Sequence, residues 1–491
     1  MSHSALHSAQ ESGRLIRRTR EMLQGRSTLC VCMSLYWAWQ LSFFQSPAVF
    51  FQGETGGSLW LAKVCLLAAS AATYGVAWRF HVKLAGISRH RAYPAVLALL
   101  MCAGSAALLT AERWESHAVY ASTAAEIGGG GLMGVSAALF VVELGRIFAQ
   151  LGPLSALICG VVGIFGGALL HALLFALPNG ASQAILCIIA AAIPLIYARI
   201  ALAYSPARYF GRGLTQDVRF PARYALTCLI QGVVLGTTAA ILGMREPGTA
   251  EPMLYVLAFA AGGVLVFVAS MVFNLDFNHL VYQVGFPVMA GGFVLLACLP
   301  DQPAAGGFVF TAGYCFIYVI ITCINSYFGS RLECSPAWIV SLSTFFLVAG
   351  QAASVAATSI VFTAANGQTA NAELVISVVL AFAIPTAALF LLSSSNPTLG
   401  WGAIRPSASA DNVEELFERI AKKYHLTPRE TEITELLSRG RNKEYISNEL
   451  NLAKETVKSH MSSIYKKLFV HSQQELIDLV EDERDRPRDS L

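Results

Sequence analysis

The chain has 491 residues, of which 55% are hydrophobic and only 13% charged, with a formal net charge of +3. A soluble globular chain carries about 25% charged residues, so the composition at this length excludes a wholly water-soluble protein and points to a membrane. The charge is unevenly divided: Trp401 to Leu491 holds 15 Lys+Arg and 17 Asp+Glu, leaving 19 and 14 for the 400 residues before it, so lipid is the expected solvent of the first part and water that of the last.

A basic segment, 1–27, opens the chain. The apolar run after it is long enough to span a bilayer and is read as a retained helix, not a cleaved signal peptide. About twelve such runs follow one another, near 28–50, 59–79, 92–111, 119–142, 154–177, 183–203, 224–244, 253–274, 280–299, 306–327, 337–361 and 373–393. Backbone groups in lipid must be satisfied within the segment, so each is expected to be a helix. All 11 cysteines precede residue 335, none at a disulfide or zinc spacing, and they read as small apolar packing residues.

Lys and Arg in the loops set the orientation. Alternate loops place Arg14, Arg17, Arg18, Arg20, Arg26, Arg79, Lys83, Arg89, Arg91, Arg146, Arg199, Arg208, Arg212, Arg219, Arg223 and Arg331 on one side, against Arg113 and Arg245 on the other. With an even number of spans, both termini fall on the basic side, the cytoplasmic side of the cell membrane. The long loop Ala198 to Arg223 divides the helices six and six. This layout resembles the major facilitator architecture of two six-helix halves. The acidic, glycine-rich motif of those transporters is missing after the second helix, where the chain reads Trp78-Arg79-Phe80-His81-Val82-Lys83-Leu84-Ala85-Gly86, and after the eighth.

Ionisable groups at lipid depth are costly and often functional. Lys63, Glu126 and His171 fall in the outer half of the first six helices, as do Trp37 and Gln40 of the first. A ligand pocket is expected there, with Lys63 and Glu126 as charge anchors and aromatic walls. The plainer alternative is that Lys63 snorkels to the interface and the others pair or lie in the loops. Gly128-Gly129-Gly130-Gly131 with Gly134 permits close backbone approach, as tight packing or as a hinge.

The segment 394–425 has linker composition and carries a short amphipathic helix from Asp411, with Val413, Leu416, Phe417, Ile420 and Tyr424 on one face. Four helices are legible in 426–482, before a charged tail, 483–491. Thr427, Pro428 and Glu430 form a capping-box start and Gly440 a stop. The third helix, about 453–468, decides the function. Val457, Met461, Ile464 and Leu468 form one apolar stripe, while Lys454, Lys458, Ser459, Ser462 and Lys466 lie away from it. After a short helix and a tight turn, a helix with that outward face suits the major groove.

These residues resemble the LuxR/FixJ (LuxR/NarL) family of DNA-binding domains. The likeness rests on Leu426-Thr427-Pro428-Arg429-Glu430, Gly440, Ile446, Leu450, Thr456-Val457-Lys458, His460, Ile464, Lys467-Leu468, Val470 and Ser472. Phe469 departs from the family's usual Gly, and Ala453 from its Ser or Thr cap. The resemblance implies that Lys458, Ser459 and Ser462 face base edges and that Thr456, Lys466 and Lys454 face phosphates. It also implies that Leu476 and Ile477 of the fourth helix pair two copies on a palindromic site. The whole is expected to be all-α: a twelve-helix, major-facilitator-like transmembrane bundle over 28–393, then a tetrahelical LuxR-type domain over 426–482. Its partners would be promoter DNA, the lipid bilayer, an unidentified small molecule sensed by the bundle, and RNA polymerase. The alternative is a transporter with a regulatory DNA-binding tail. No nucleophile–base pair, metal cluster or phosphate loop is legible, so no enzyme, catalytic residue, metal or cofactor is expected.

Overall fold

The structure, a computed structural model, describes residues 25–45, 59–114, 119–204, 222–244, 252–331 without 274 and 278, 335–365, 369–392, 410–438 and 443–485 without 451. The basic segment before residue 25, Arg208, Arg212, Arg219, Arg245, Gly440, the linker 393–409 and the end of the charged tail lie outside the described residues. The chain divides into two compact units, 1–407 and 408–491.

The first unit is built of helices α1 (Ser27–Gln40), α2 (Leu59–Arg79), α3 (Tyr93–Trp114), α4 (Val119–Leu151), α5 (Pro153–Phe175), α6 (Asn179–Ala201), α7 (Ala222–Met244), α8 (Pro252–Phe267), α9 (Phe286–Cys298), α10 (Pro303–Arg331), α11 (Pro336–Ala364) and α12 (Thr369–Leu392). Among the described residues, ten helices are long and apolar enough to cross a membrane. The two remaining runs are α1, continued by a π turn at Leu41–Gln45, and the shorter α8, continued by another at Val268–Val272. A third π segment, His279–Gly285, leads into α9, and the Asp276 carboxylate accepts the His279 backbone N–H at its start (2.8 Å).

The packing repeats with a period of six helices. In the first half α1 packs on α5, α2 on α4, α3 on α4 and α3 on α6. In the second half α7 packs on α11, α8 on α10, α9 on α10 and α9 on α12. The halves meet through α2 with α11 and α5 with α8, two contacts that exchange under the same rule, and through α4 and α5 with α10. The repeat reaches single residues. Gly104 of α3 faces Gly129 of α4, and Gly292 of α9 faces Gly306 of α10. A Cβ on any of these four would lie about 3 Å from the opposing carbonyl oxygen. A proline stands inside the last helix of each half, Pro194 in α6 and Pro385 in α12.

Close approach is also what part of the four-glycine run and Gly134 provide. A Cβ on Gly130 would stand 2.3 Å from the Ala62 carbonyl oxygen, and one on Gly134 would stand 2.5 Å from that of Leu66. Gly130 and Gly134 thus form a packing seam between α4 and α2, of the small-residue kind that lets membrane helices touch, whereas Gly128 and Gly131 face open space.

Arg146 differs from its expected place. It is not a loop cation: α4 continues to Leu151, and Arg146 is fully buried, paired with Glu143 one turn earlier. It also donates to the Ser88 hydroxyl (2.9 Å) in a short helix, His81–Ser88, that joins α2 to α3. Tyr93 and Tyr197 lie within electrostatic reach of the pair. Near this end of α4 the two halves touch. Ser326 of α10 donates to the Phe148 carbonyl of α4 (2.7 Å), and Gly329 leaves no room for a Cβ against Ala149.

The second unit comprises α13 (Ala410–Tyr424), α14 (Pro428–Ser438), α15 (Lys443–Glu449), α16 (Lys454–Leu468) and α17 (Gln473–Asp485). Its core joins Leu416, Phe417 and Ile420 of α13 to Ile433, Leu437, Ile446, Val457, Ile464, Leu468 and Leu476. The amphipathic face of α13 is therefore part of this unit's own core.

Candidate nucleic-acid interface

The interface is set by one buried carboxylate. At the start of α14 the Thr427 backbone N–H donates to Glu430 (2.8 Å), and the Glu430 N–H donates back to the Thr427 hydroxyl (3.3 Å). This is a reciprocal capping box. The Glu430 carboxylate also accepts from Ser463 (2.6 Å) and Lys467 (2.7 Å) on α16. Burial pushes this carboxyl up, but the bonds from Lys467, Ser463 and Thr427 outweigh it and hold its pKa at about 2. Two further bonds fix the angle between helices. Arg429 donates to the Leu450 carbonyl at the end of α15 (2.8 Å), and Ser447 donates to the Leu452 carbonyl across the turn (2.7 Å).

With Val457, Ile464 and Leu468 buried and Met461 half-buried, the opposite face of α16 is open. Lys454, Thr456, Lys458, Ser459, Ser462 and Lys466 are all exposed on it. Lys458, Ser462 and Lys466 line an open groove of about 650 Å³, walled by Tyr465, Phe469 and Val470. Lys443 and His471 complete the groove. Neither is evident from the sequence of α16, and only the position of Lys443 at the opening of α15 signals it. Lys454 lies off the groove, bonded to Glu444 (2.8 Å), and Thr456 and Ser459 do not line it. Such a face, with cations and hydroxyls on a protruding helix, makes phosphate and base-edge contacts together.

On α17 the two expected pairing residues part company. Leu476 is fully buried in the unit's own core, so it is not available to a second copy, whereas Ile477 is half-buried.

The residues expected to hold a ligand are spread over the first half of the bundle. Trp37 is buried between Phe259 of α8 and Tyr318 of α10, with ring centroids at 5.4 and 5.1 Å. Gln40 donates to the Tyr36 hydroxyl (2.9 Å). His171 is buried, with Nδ1 2.9 Å from the Ser42 hydroxyl, so its partner is the end of α1. Glu126 is buried on α4 and Lys63 half-buried on α2. The side chains that gather at the centre are aromatic. Tyr36, Tyr74, Tyr314 and Tyr318 lie within electrostatic reach of one another, beside Trp37 and Gln40. The tyrosines are not among the expected site residues, whereas Gln231, which by sequence either completes a ligand site or only bonds a neighbouring helix, reaches the Tyr314 carbonyl with its amide nitrogen (3.5 Å). Each is a single polar residue in an apolar run, and only the folded bundle shows which of them meet. Among the described residues no group of three His, Cys, Asp or Glu is arranged for a metal ion.

Comparison with known proteins separates the two units. Residues 424–480 match the bacterial regulatory proteins of the luxR family. Over 71 residues, 14% of this chain, the sequence is 42% identical to the uncharacterized response regulatory protein YgeK of Escherichia coli (strain K12). That match spans 48% of YgeK, so the chain covers about half the length of this curated relative. The bundle is similar in fold to the human organic anion transporter MFSD10 (TETRAN), with TM-score 0.50 and 15% identity over 75% of this chain and 98% of that one. It is equally similar to a bacterial homologue of the iron transporter ferroportin in its outward-facing state, with TM-score 0.50 and 10% identity over 75% and 99%. At such identities the likeness is one of fold. The chain joins a LuxR-type DNA-binding domain to a multi-pass membrane bundle of major-facilitator architecture.

Proposed function

We propose that this chain is a transcription regulator fixed in the cytoplasmic membrane, whose bundle binds a small molecule and thereby sets promoter binding by the helix-turn-helix domain. The observation that carries the reading is the exposed face of α16, Lys454 to Lys466, in a luxR-family domain on the same chain as the membrane bundle. Lys458 and Ser462, inside the groove, with Ser459 beside them, read base edges. Lys454, Thr456 and Lys466 hold phosphates. The bundle end that carries Arg79, Lys83, Arg89, Arg91, Arg199 and Arg223 faces the cytoplasm, as loop cations do. Both termini and the DNA-binding unit then share the chromosome's compartment.

The ligand site is the aromatic centre between the halves, with Trp37 and Gln40 in it and Lys63, Glu126 and His171 toward the far end of the bundle. Trp37 Nε1 and Gln231 Oε1 are buried there without a hydrogen bond, and buried polar atoms are nearly always satisfied, so a polar ligand suits the place. Binding must favour one arrangement of the halves by a few kcal/mol to act as a switch. Promoter DNA is bound by a dimer, with Ile477 rather than Leu476 at the contact, and RNA polymerase is the downstream partner. No catalytic step is part of this reading.

The test is promoter selection from fragmented genomic DNA by the full chain in nanodiscs. Enrichment of a palindromic sequence, lost on Lys458→Ala with Ser462→Ala, is the expected result. Enrichment that is unchanged in that double variant would remove α16 from the interface. The fold likeness to two transporters favours a second reading, a working transporter with a DNA-binding tail. Counterflow in vesicles of the purified protein separates it, because a sensor retains ligand without flux.

A further inference from the structure

The short helix His81–Ser88 presents an unusual outer face. Its inner face, His81, Leu84, Ala85 and Ser88, is tied down. His81 bonds the Trp78 carbonyl (3.1 Å), Leu84 and Ala85 pack on the bundle core, and Ser88 accepts from the buried Arg146 (2.9 Å). The outer face carries large apolar side chains: Phe80 is 45% exposed, Val82 62% and Ile87 60%. Between them stand cations. Arg79 and Lys83, one turn apart, both approach the Phe80 ring, at 5.5 and 5.4 Å from its centroid. From Trp78 to Ala92 the chain holds Arg79, Lys83, Arg89 and Arg91 and no Asp or Glu.

Two physical demands meet here. Water is a poor solvent for Val82 and Ile87, which would be left in it at a cost of about 25 cal/mol per Å². Two cations drawn to one ring, in a segment with no carboxylate, call for an anion from elsewhere. The helix joins the ends of two membrane-spanning helices, α2 and α3, so it sits where headgroups meet acyl chains. A helix with apolar and cationic side chains on one exposed face is suited to that depth. Free phosphate would satisfy the cations alone, and duplex DNA would find Val82 and Ile87 in its way.

We propose that this helix and its flanks form a binding site for an anionic phospholipid. Arg79 and Lys83 hold the phosphate, Arg91 adds positive charge, and the acyl chains lie along Val82 and Ile87. Through Ser88 and Arg146 the site is bonded to α4, which packs on α10 and α11 of the other half. A lipid on this helix therefore steadies one wall of the contact between halves. The proposal is independent of the small-molecule ligand and of promoter binding.

Native mass spectrometry of the full chain in detergent, titrated with phosphatidylglycerol or phosphatidylcholine, tests it. Phosphatidylglycerol is expected to be retained in preference. With roughly 1 kcal/mol for each Lys or Arg near an anionic surface, Arg79→Gln with Lys83→Gln should weaken that retention by about 30-fold and leave phosphatidylcholine unchanged. Val82→Ser with Ile87→Ser should weaken it as well, and the charge-preserving Arg79→Lys with Lys83→Arg should keep it. Equal retention of both lipids, or full retention by the neutralised variant, would overturn the proposal. So would displacement of phosphatidylglycerol by equimolar inorganic phosphate, which would mark a free-phosphate site, or by a short duplex, which would mark a nucleic-acid surface. If the neutralised variant failed to fold, the serine pair and the two competitions would decide.

Discussion

The helix that offers its face to DNA is poorly finished at both ends. Its N-cap, Ala453, has the extended backbone of a cap (φ −63°, ψ 142°) but no side chain to accept an N–H. Its C-terminus turns through Phe469 in the left-handed region (φ 57°), with the Val470 N–H closing back on the Tyr465 carbonyl (3.0 Å). A left-handed residue with a Cβ costs roughly 1 kcal/mol, and the Phe469 ring, 84% exposed, offsets little of that by packing. Ala453→Ser and Phe469→Gly should therefore each stabilise the 408–491 unit by about 1 kcal/mol. That corresponds to a rise in its thermal midpoint of roughly 4–8 °C per substitution, read by circular dichroism. Glu430 works in the opposite sense. Its folded pKa of about 2 lies below the roughly 4.3 of a free Glu, so the carboxylate form favours the fold. The contribution is complete above about pH 4.5 and fades as the pH falls toward 2. Glu430→Gln should flatten the loss of stability across that window and cost about 2 kcal/mol at pH 7, because bonds to a charged acceptor are replaced by weaker ones. An acid titration of both forms checks it.

At the scale of the helix, α4 shows what a sequence can and cannot disclose about a membrane protein. Lipid demands uninterrupted apolar runs, so the twelve helices and their order are legible in composition alone. The end of α4 is not. Arg146 reads as a loop cation beyond a span that closes near 142, yet the helix runs on to Leu151 with Glu143 and Arg146 both buried. Charges end a span that faces lipid, whereas a span walled in by Tyr93, Tyr197 and Ser88 can pair them internally. The short helix after α2 is hidden for a related reason, since eight residues of mixed character have no periodicity to betray them. In the C-terminal unit, α16 is legible because water on one side and a core on the other impose the 3.6-residue period. The tie from Glu430 to Ser463 and Lys467 joins residues more than thirty apart, which no local pattern reports. The buried pair makes a prediction at this scale. Arg146→Ala takes the buried cation away from the Glu143 carboxylate and should destabilise the bundle by about 3 kcal/mol. Adding Glu143→Ala should cost far less than its effect alone, with a coupling on the order of 1–3 kcal/mol. Thermal unfolding of the four proteins in one detergent measures the cycle.

For the molecule as a whole, the six-helix repeat bears on mechanism. Two similar halves meet along α2 with α11 and α5 with α8, and the switch proposed above requires a second arrangement of them. In a transporter that second arrangement releases cargo. In a regulator it need only differ in what the DNA-binding unit experiences, and flux is dispensable. After α2 the chain carries Arg79, Phe80 and Lys83 where major facilitator transporters carry an acidic, glycine-rich motif. The two roles differ in a measurable way. If ligand and promoter act on one equilibrium between the halves, a ligand that changes promoter affinity by some factor must have its own affinity changed by promoter DNA by the same factor. Typical couplings of 1–3 kcal/mol correspond to about 5- to 150-fold. Ligand titrations of the full chain in nanodiscs, with and without saturating promoter duplex, should show that reciprocal shift, and Lys458→Ala with Ser462→Ala should abolish it while leaving the DNA-free affinity untouched. A transporter with a passive tail would show one ligand affinity throughout and measurable counterflow.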